Sequence, residues 1–195
     1  MRFIGLFLAL GIFGITLQGC GGADNCADVE CVNGDCVDGQ CDCDEGWTGE
    51  KCDTEKEPKA ILIDKIVILK FPTDDSGKPW DDEDDNSLGD ISVRVSSVEH
   101  GNYFTPKDID NDVAEDADGS SSITVDTNFR IRNMDESVNF EVVDYDIVGG
   151  FNIEWEFVSS VSTKFSEHYK GFPSKITLQT SSGKTQLEIH IAHEH

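Results

Sequence analysis

Six cysteines fall between Cys26 and Cys52, in the order C-x4-C-x4-C-x4-C-x-C-x8-C. A segment this short cannot bury enough apolar surface to fold unaided, so cross-links or a metal must hold it. Zinc sites draw on CxxC pairs or suitably spaced histidines, and neither accompanies these cysteines. An even, crowded set therefore predicts a disulfide framework formed in an oxidising compartment. Spacing alone leaves about fifteen pairings open.

The seventh cysteine, Cys20, ends a different kind of segment. Arg2 precedes the apolar run FIGLFLALGIFGITL, which is followed by Gln18, Gly19 and Cys20. The run is short for a spanning helix and sits at the chain start, so residues 1–19 are expected to be an export signal. LQGC resembles the lipobox of bacterial lipoproteins. That resemblance implies cleavage before Cys20, acylation of Cys20, and a tether over residues 20–25. Acyl chains anchor a protein because each buried methylene contributes about 0.8 kcal/mol.

The C-x-C pair followed by DEGWTGEKC, with Gly46 and Gly49 bracketing Trp47, resembles the second half of an EGF-like module, and the spacing of all six cysteines over residues 26–52 fits. The resemblance implies the pairings Cys26 with Cys36, Cys31 with Cys41, and Cys43 with Cys52. The calcium-binding form of that module carries an acidic run ending in Glu directly before its first cysteine. Here the lead-in is GGADN and the third interval is only VDGQ, which fits the plain form, a spacer or protein-contact module.

DTEKEPK, residues 53–59, is polar, contains Pro58 and lacks an apolar period, so it reads as a linker. From residue 60 to 195 the pattern changes. ILIDKIVILKF, ISVRVSSV, SITVDTNFRIR, VNFEVVDYD, FNIEWEFV, KITLQT and TQLEIHIA are short and rich in β-branched and aromatic residues. Gly, Ser, Asp or Asn separate them. They predict a mainly β chain, with an antiparallel β-sandwich following the small disulfide-rich module. TSSGK, residues 180–184, is expected to be the turn of a hairpin. Helical periodicity is confined to KFSEHYKGF, residues 164–172.

Charge selects among functions. Fifteen basic residues against 39 acidic give a net charge of −24. That field opposes nucleic acid and anionic lipid faces and favours cations. The acids cluster: TDDSGKPWDDEDDNSLGD, residues 73–90, holds eight carboxylates against Lys78. In VVDYDIVGGFN, residues 142–152, a strand places Asp144 and Asp146 on one face, where they repel unless a cation or a proton intervenes.

Together these segments resemble a C2 domain, a calcium-dependent β-sandwich whose ion ligands come from loops at one end. Asp75, Ser76, Gly77 and Asp81, leading towards GDISVRV, are similar to the first ligand loop of that family. Asp144, Tyr145 and Asp146 are similar to the third, with Asn152 where the family has an acid. DDEDDNSLG is an insertion relative to the pattern, so either Asp81 or Asp90 supplies the second first-loop ligand. The ligand set implied for Ca2+ is thus Asp75, Asp81, Asp90, Asp144, Asp146 and Asn152. Calcium suits all-oxygen donors on loops, about six to eight of them at about 2.3–2.6 Å. The basic strand face with which that family often meets phospholipid has no counterpart here.

Other chemistry is expected to be absent. DIDNDVAEDADG, residues 108–119, opens like an EF-hand, but Val113 stands at the Gly position and Gly119 at the Glu position. HIAHEH puts His193 and His195 on one strand face, a poor metal site on its own. Glycoside hydrolysis needs one protonated and one ionised acid across a cleft, and crowded acids favour cation binding instead. The expectation is therefore a non-enzymatic, outer-membrane lipoprotein of a bacterial envelope, on the cell surface or the periplasmic face. It would bind calcium and recognise or adhere to a protein or glycan partner. The alternative is a purely structural or adhesive surface protein whose acidic loops only solubilise it.

Overall fold

A computed structural model describes residues 25–75, 78–79, 89–107, 112–114, 117–148 and 152–195. The expected signal sequence, Cys20 and Asp81 lie outside the described residues. Among the described residues no helix is long and apolar enough to cross a membrane.

The cysteine-rich segment builds two small hairpins. Strand β1 (Gly34–Val37) pairs with β2 (Gln40–Cys43), and β3 (Trp47–Thr48) with β4 (Thr54–Glu55). Disulfides join Cys26 to Cys36, Cys31 to Cys41 and Cys43 to Cys52. They do the work of a core, for few residues here are buried, among them Cys52. The 53–59 stretch is not a bare linker: Thr54 and Glu55 belong to the second hairpin and Pro58 is buried.

Eight strands then form two four-stranded antiparallel sheets. They are β5 (Ala60–Lys70), β8 (Ile91–Ser97), β9 (Gly101–Phe104), β10 (Ile123–Ile131), β11 (Val138–Val148), β12 (Asn152–Thr163), β13 (Lys175–Gln179) and β14 (Gln186–Glu194). One sheet runs β10-β5-β14-β13 and the other β12-β11-β8-β9. A two-residue pair, β6 (Asp74–Asp75) with β7 (Lys78–Pro79), sits in the connection from β5 to β8. Alternate residues face inward, as the two-residue period of a strand requires. Ile61, Ile63, Ile66 and Ile68 of one sheet meet Val93, Val95, Val138, Phe140 and Val142 of the other in one hydrophobic core. The expected helix at 164–172 is only a 3-10 turn at Phe165–Glu167. Gly171 and Phe172 take positive φ just beyond it, which ends any helical run.

A bulge interrupts the β10–β5 ladder between Asp126 and Phe129. There the buried Thr127 hydroxyl donates to the Ile63 carbonyl at 3.0 Å, supplying a bond that the ladder omits. Thr127→Val keeps the shape and removes the donor. It is expected to destabilise by about 1 kcal/mol, lowering the melting midpoint by roughly 2–4 °C; an unchanged midpoint would show that the hydroxyl contributes nothing.

The topology fixes two poles. Lys70 pairs with Gln186, and Ile123 with Ile68, so the start of β14, the start of β10 and the end of β5 share one pole. Ile91 opens β8 opposite Asp144 near the end of β11, and Ala117 N–H donates to Gly89 O at 2.9 Å. A Cβ on Gly119 would meet Thr73 Cγ2 at 2.7 Å. The β5–β8, β9–β10 and β11–β12 connections therefore gather at that pole. At the other pole lie Ala60, Glu194, the β12–β13 connection and the cysteine-rich module. There the buried Glu136 carboxylate accepts from Ser97 Oγ at 2.7 Å and from the Tyr103 hydroxyl. Burial first, then that carboxylate, holds the Tyr103 phenol well above its usual pKa.

Candidate functional site

Asp144 sits where the core ends. It continues the inward series Val138, Phe140 and Val142 by one pleat, and it is fully buried. A carboxylate carried inside needs donors. Its Oδ1 accepts the Asp90 N–H at 2.6 Å and the Tyr145 N–H at 3.0 Å. The Tyr145 N–H also points to Asp90 O, at 2.9 Å. Asp90 and Asp144, 54 positions apart in sequence, are thus clasped through backbone and side chain together.

Asp146 follows on the same face of β11. The hairpin register adds two acids that the motif comparison does not include. Glu156 stands directly opposite Asp144, and Glu154 opposite Asp146. Directly opposed residues on an antiparallel pair have Cβ atoms about 4.5–5.5 Å apart, and like charges in that relation are destabilising. Both glutamates are exposed, so their carboxylates can swing towards water; Asp144, fully buried, cannot. FNIEWEFV does carry the signal, since its alternation puts Glu154 and Glu156 on one face. Only the register across the hairpin shows which acids they oppose.

The remaining sequence candidates divide. Asp75 lies in β6, in the connection that reaches this pole, and Asn152 opens β12 opposite Val148. Asp81 lies outside the described residues. The 108–119 stretch also arrives here: Ala114 bridges Ile91, and the Asp112 carbonyl accepts the Ser92 hydroxyl. Asp112 Oδ2 accepts the Lys107 N–H at 2.9 Å. Asp118 is exposed, and hydrogen bonds from Ser120 hold its carboxyl below the usual range. Among the described residues, no three His, Cys, Asp or Glu side chains gather closely enough to hold a metal ion by themselves.

Beside this pole, on the outer face of the second sheet, Tyr145 meets Trp155 edge-on at 4.7 Å, and the Arg94 guanidinium stands 5.8 Å from the Trp155 ring. Arg94 is also paired with Glu141 at 2.8 Å. The histidines stand elsewhere. His190 is hydrogen-bonded to Glu188 and His168 to Thr163, while His193 and His195 lie at the pole of the cysteine-rich module.

The family model of the Teneurin-like EGF domain matches residues 24–55. That span contains all three disulfides and both small hairpins. The N-terminal module is EGF-like. Its match reaches past Cys52 to Glu55, the end of the second hairpin. No curated protein matches the chain. An EGF-like module joined to a β-rich domain suggests an extracellular or adhesive type of protein.

Proposed function

We propose that this chain is a lipoprotein of a bacterial cell envelope, tethered through Cys20, whose acidic pole takes up Ca2+ and recognises a protein or glycan surface. The observation that carries the reading is the pair of opposed acids, Asp144 with Glu156 and Asp146 with Glu154, of which Asp144 is fully buried. Such a set repels itself at neutral pH, and a divalent cation is the most direct offset. The fit of the donors supports calcium over zinc or iron, because every candidate near Asp144 offers oxygen. Asp90, Asp144 and Asp146 would form the inner part of the site, with Asp75, Asp81, Asn152 and backbone carbonyls completing it. A bound ion would supply charge neutralisation and tie the three connections together.

The domain arrangement agrees with a surface role. The EGF-like module meets the sandwich at the pole away from Asp144, so a lipid at Cys20 leaves the acidic pole facing outward. Catalysis is not part of the proposal: the acids crowd one another instead of facing across a cleft. A second reading, a structural or adhesive protein without specific metal binding, is favoured by one observation. Asp144 Oδ1 already accepts two backbone N–H groups, as a purely structural carboxylate would.

Thermal unfolding separates the two. For a site with a dissociation constant on the order of 10⁻⁴ M, 1 mM Ca2+ should add about 1.4 kcal/mol, raising the midpoint by roughly 3–6 °C relative to chelator. A midpoint indifferent to calcium would leave the structural reading standing.

A further inference from the structure

The EGF-like module does not hang freely from the sandwich. Gly46 is buried against it: a Cβ there would lie 2.9 Å from His195 Nε2 and 3.1 Å from Phe172 Cζ. Trp47 stands edge-on to the Phe172 ring at 5.7 Å. Phe172 in turn meets His193 at 5.5 Å and His195 at 5.0 Å, both edge-on. Two hydrogen bonds close the seam, Lys59 N–H to Glu194 O at 2.7 Å and Gly171 N–H to Glu55 Oε1 at 3.0 Å. Phe172 holds a φ of 45°, a left-handed conformation that a non-glycine residue keeps only when its surroundings over-determine it.

The two histidines are the anomaly in this seam. His193 Nε2 and His195 Nδ1 are shielded from water and have no hydrogen-bond partner among the described residues. A neutral imidazole tolerates that, since one of its nitrogens is only an acceptor. An imidazolium does not, because both nitrogens then carry N–H groups and the charge itself wants solvent. We propose that the junction is an acid-operated hinge, in which protonation of His193 breaks the packing of His193 and His195 around Phe172 and frees the EGF-like module from the sandwich.

The surrounding charges do not compensate. On β14 itself Glu194 is paired with Arg130 at 2.7 Å. On the module side Glu55 accepts from Gly171, and Glu45, Glu57, Lys56 and Lys59 lie nearby in sequence, as Lys170 does on the β12–β13 connection; none of these acids or lysines figures in what shifts His193. The His193 pKa is accordingly held below the ordinary imidazole value, first by burial and then by His195. Above about pH 6.5 His193 is mostly neutral in both the closed and open forms and the seam is intact. As the pH falls below that, the open form takes up protons that the closed form resists, so closure weakens until the lowered pKa is passed. The hinge rests on this seam alone and holds whether or not the acidic pole takes calcium.

The experiment is a pH titration of the full chain by NMR. It follows nuclear Overhauser contacts between the Trp47 indole and the Phe172 ring together with the titration of the His193 ring. The contacts should be strong at pH 7.5 and lost towards pH 5. The closed-to-open ratio should fall by up to roughly tenfold per pH unit, with the midpoint tracking the His193 ring. The double variant His193→Phe with His195→Phe should keep the contacts at both pH values. Glu55→Gln, which retains an acceptor for Gly171 but cannot titrate, should open as the unmodified chain does. Contacts that survive at pH 5, that are lost equally without the histidines, or that follow a carboxylate midpoint instead would overturn the hinge.

Discussion

Reducing the three disulfides is expected to unfold residues 25–55 while leaving the sandwich folded. Each bridge spans a sequence separation of only 9 or 10 residues. In the chain-entropy account a loop of that size contributes about 2.5–3 kcal/mol, so all three contribute about 8 kcal/mol. The module has nothing comparable to set against their loss. Its largest hairpin is four residues on each side, and its apolar contacts lie mainly in the seam with Phe172. The sandwich, by contrast, contains no cysteine and is closed by its own core. Hydrogen exchange measured with and without reductant reads both parts at once. Protection at the β1–β2 amides should collapse, and protection in β5, β11 and β14 should persist. Retained protection at Cys36 and Cys41 in the reduced chain would show that the hairpin is held by something other than its bridges.

The two halves differ in how much of them could be read beforehand, and the reason is locality. In the EGF-like module the pattern Cys26 to Cys52 is a local code, because the bridges are short and the resemblance to a known module supplies the pairing that spacing alone leaves open. In the sandwich, strands such as ITVDTNFRI and QLEIHIAHE show their alternation openly. GNYF, the short β9, does not: a glycine and an asparagine in four residues leave no alternation to see. The same limit applies to the acidic pole. That Asp144 and Asp146 share a face follows from the period of a strand. That Asp144 is buried, clasped to the Asp90 amide and opposed by Glu156 depends on registers between strands, which no single stretch encodes. The seam at Phe172 is further out of reach, since Gly46, Phe172 and His195 come from three separate regions of the chain and meet only in the folded molecule.

Asp144 is where this long-range assembly can be probed most sharply, because its charge and its hydrogen bonding make different demands. Asp144→Ala removes both. The Asp90 N–H loses a charged acceptor in a buried place, a bond of a kind that contributes about 1.5–3 kcal/mol, while the Tyr145 N–H loses its share in the carboxylate and keeps the Asp90 carbonyl. A loss of about 2–4 kcal/mol is expected, lowering the melting midpoint by roughly 4–16 °C. Asp144→Asn keeps an oxygen for both donors and removes only the charge, so its effect should depend on calcium. In chelator the asparagine relieves repulsion from Glu156 across the ladder and from Asp146 on the same face, and the variant should melt at or above the unmodified chain. In millimolar Ca2+ the order should reverse, because the ion stabilises only the form that still offers it a carboxylate. Crossing melting curves would assign the buried charge to ion binding. An asparagine variant that keeps its full calcium response would remove Asp144 from the site, and an alanine variant as stable as the parent would show that the clasp between Asp90 and Asp144 contributes nothing to holding this pole together.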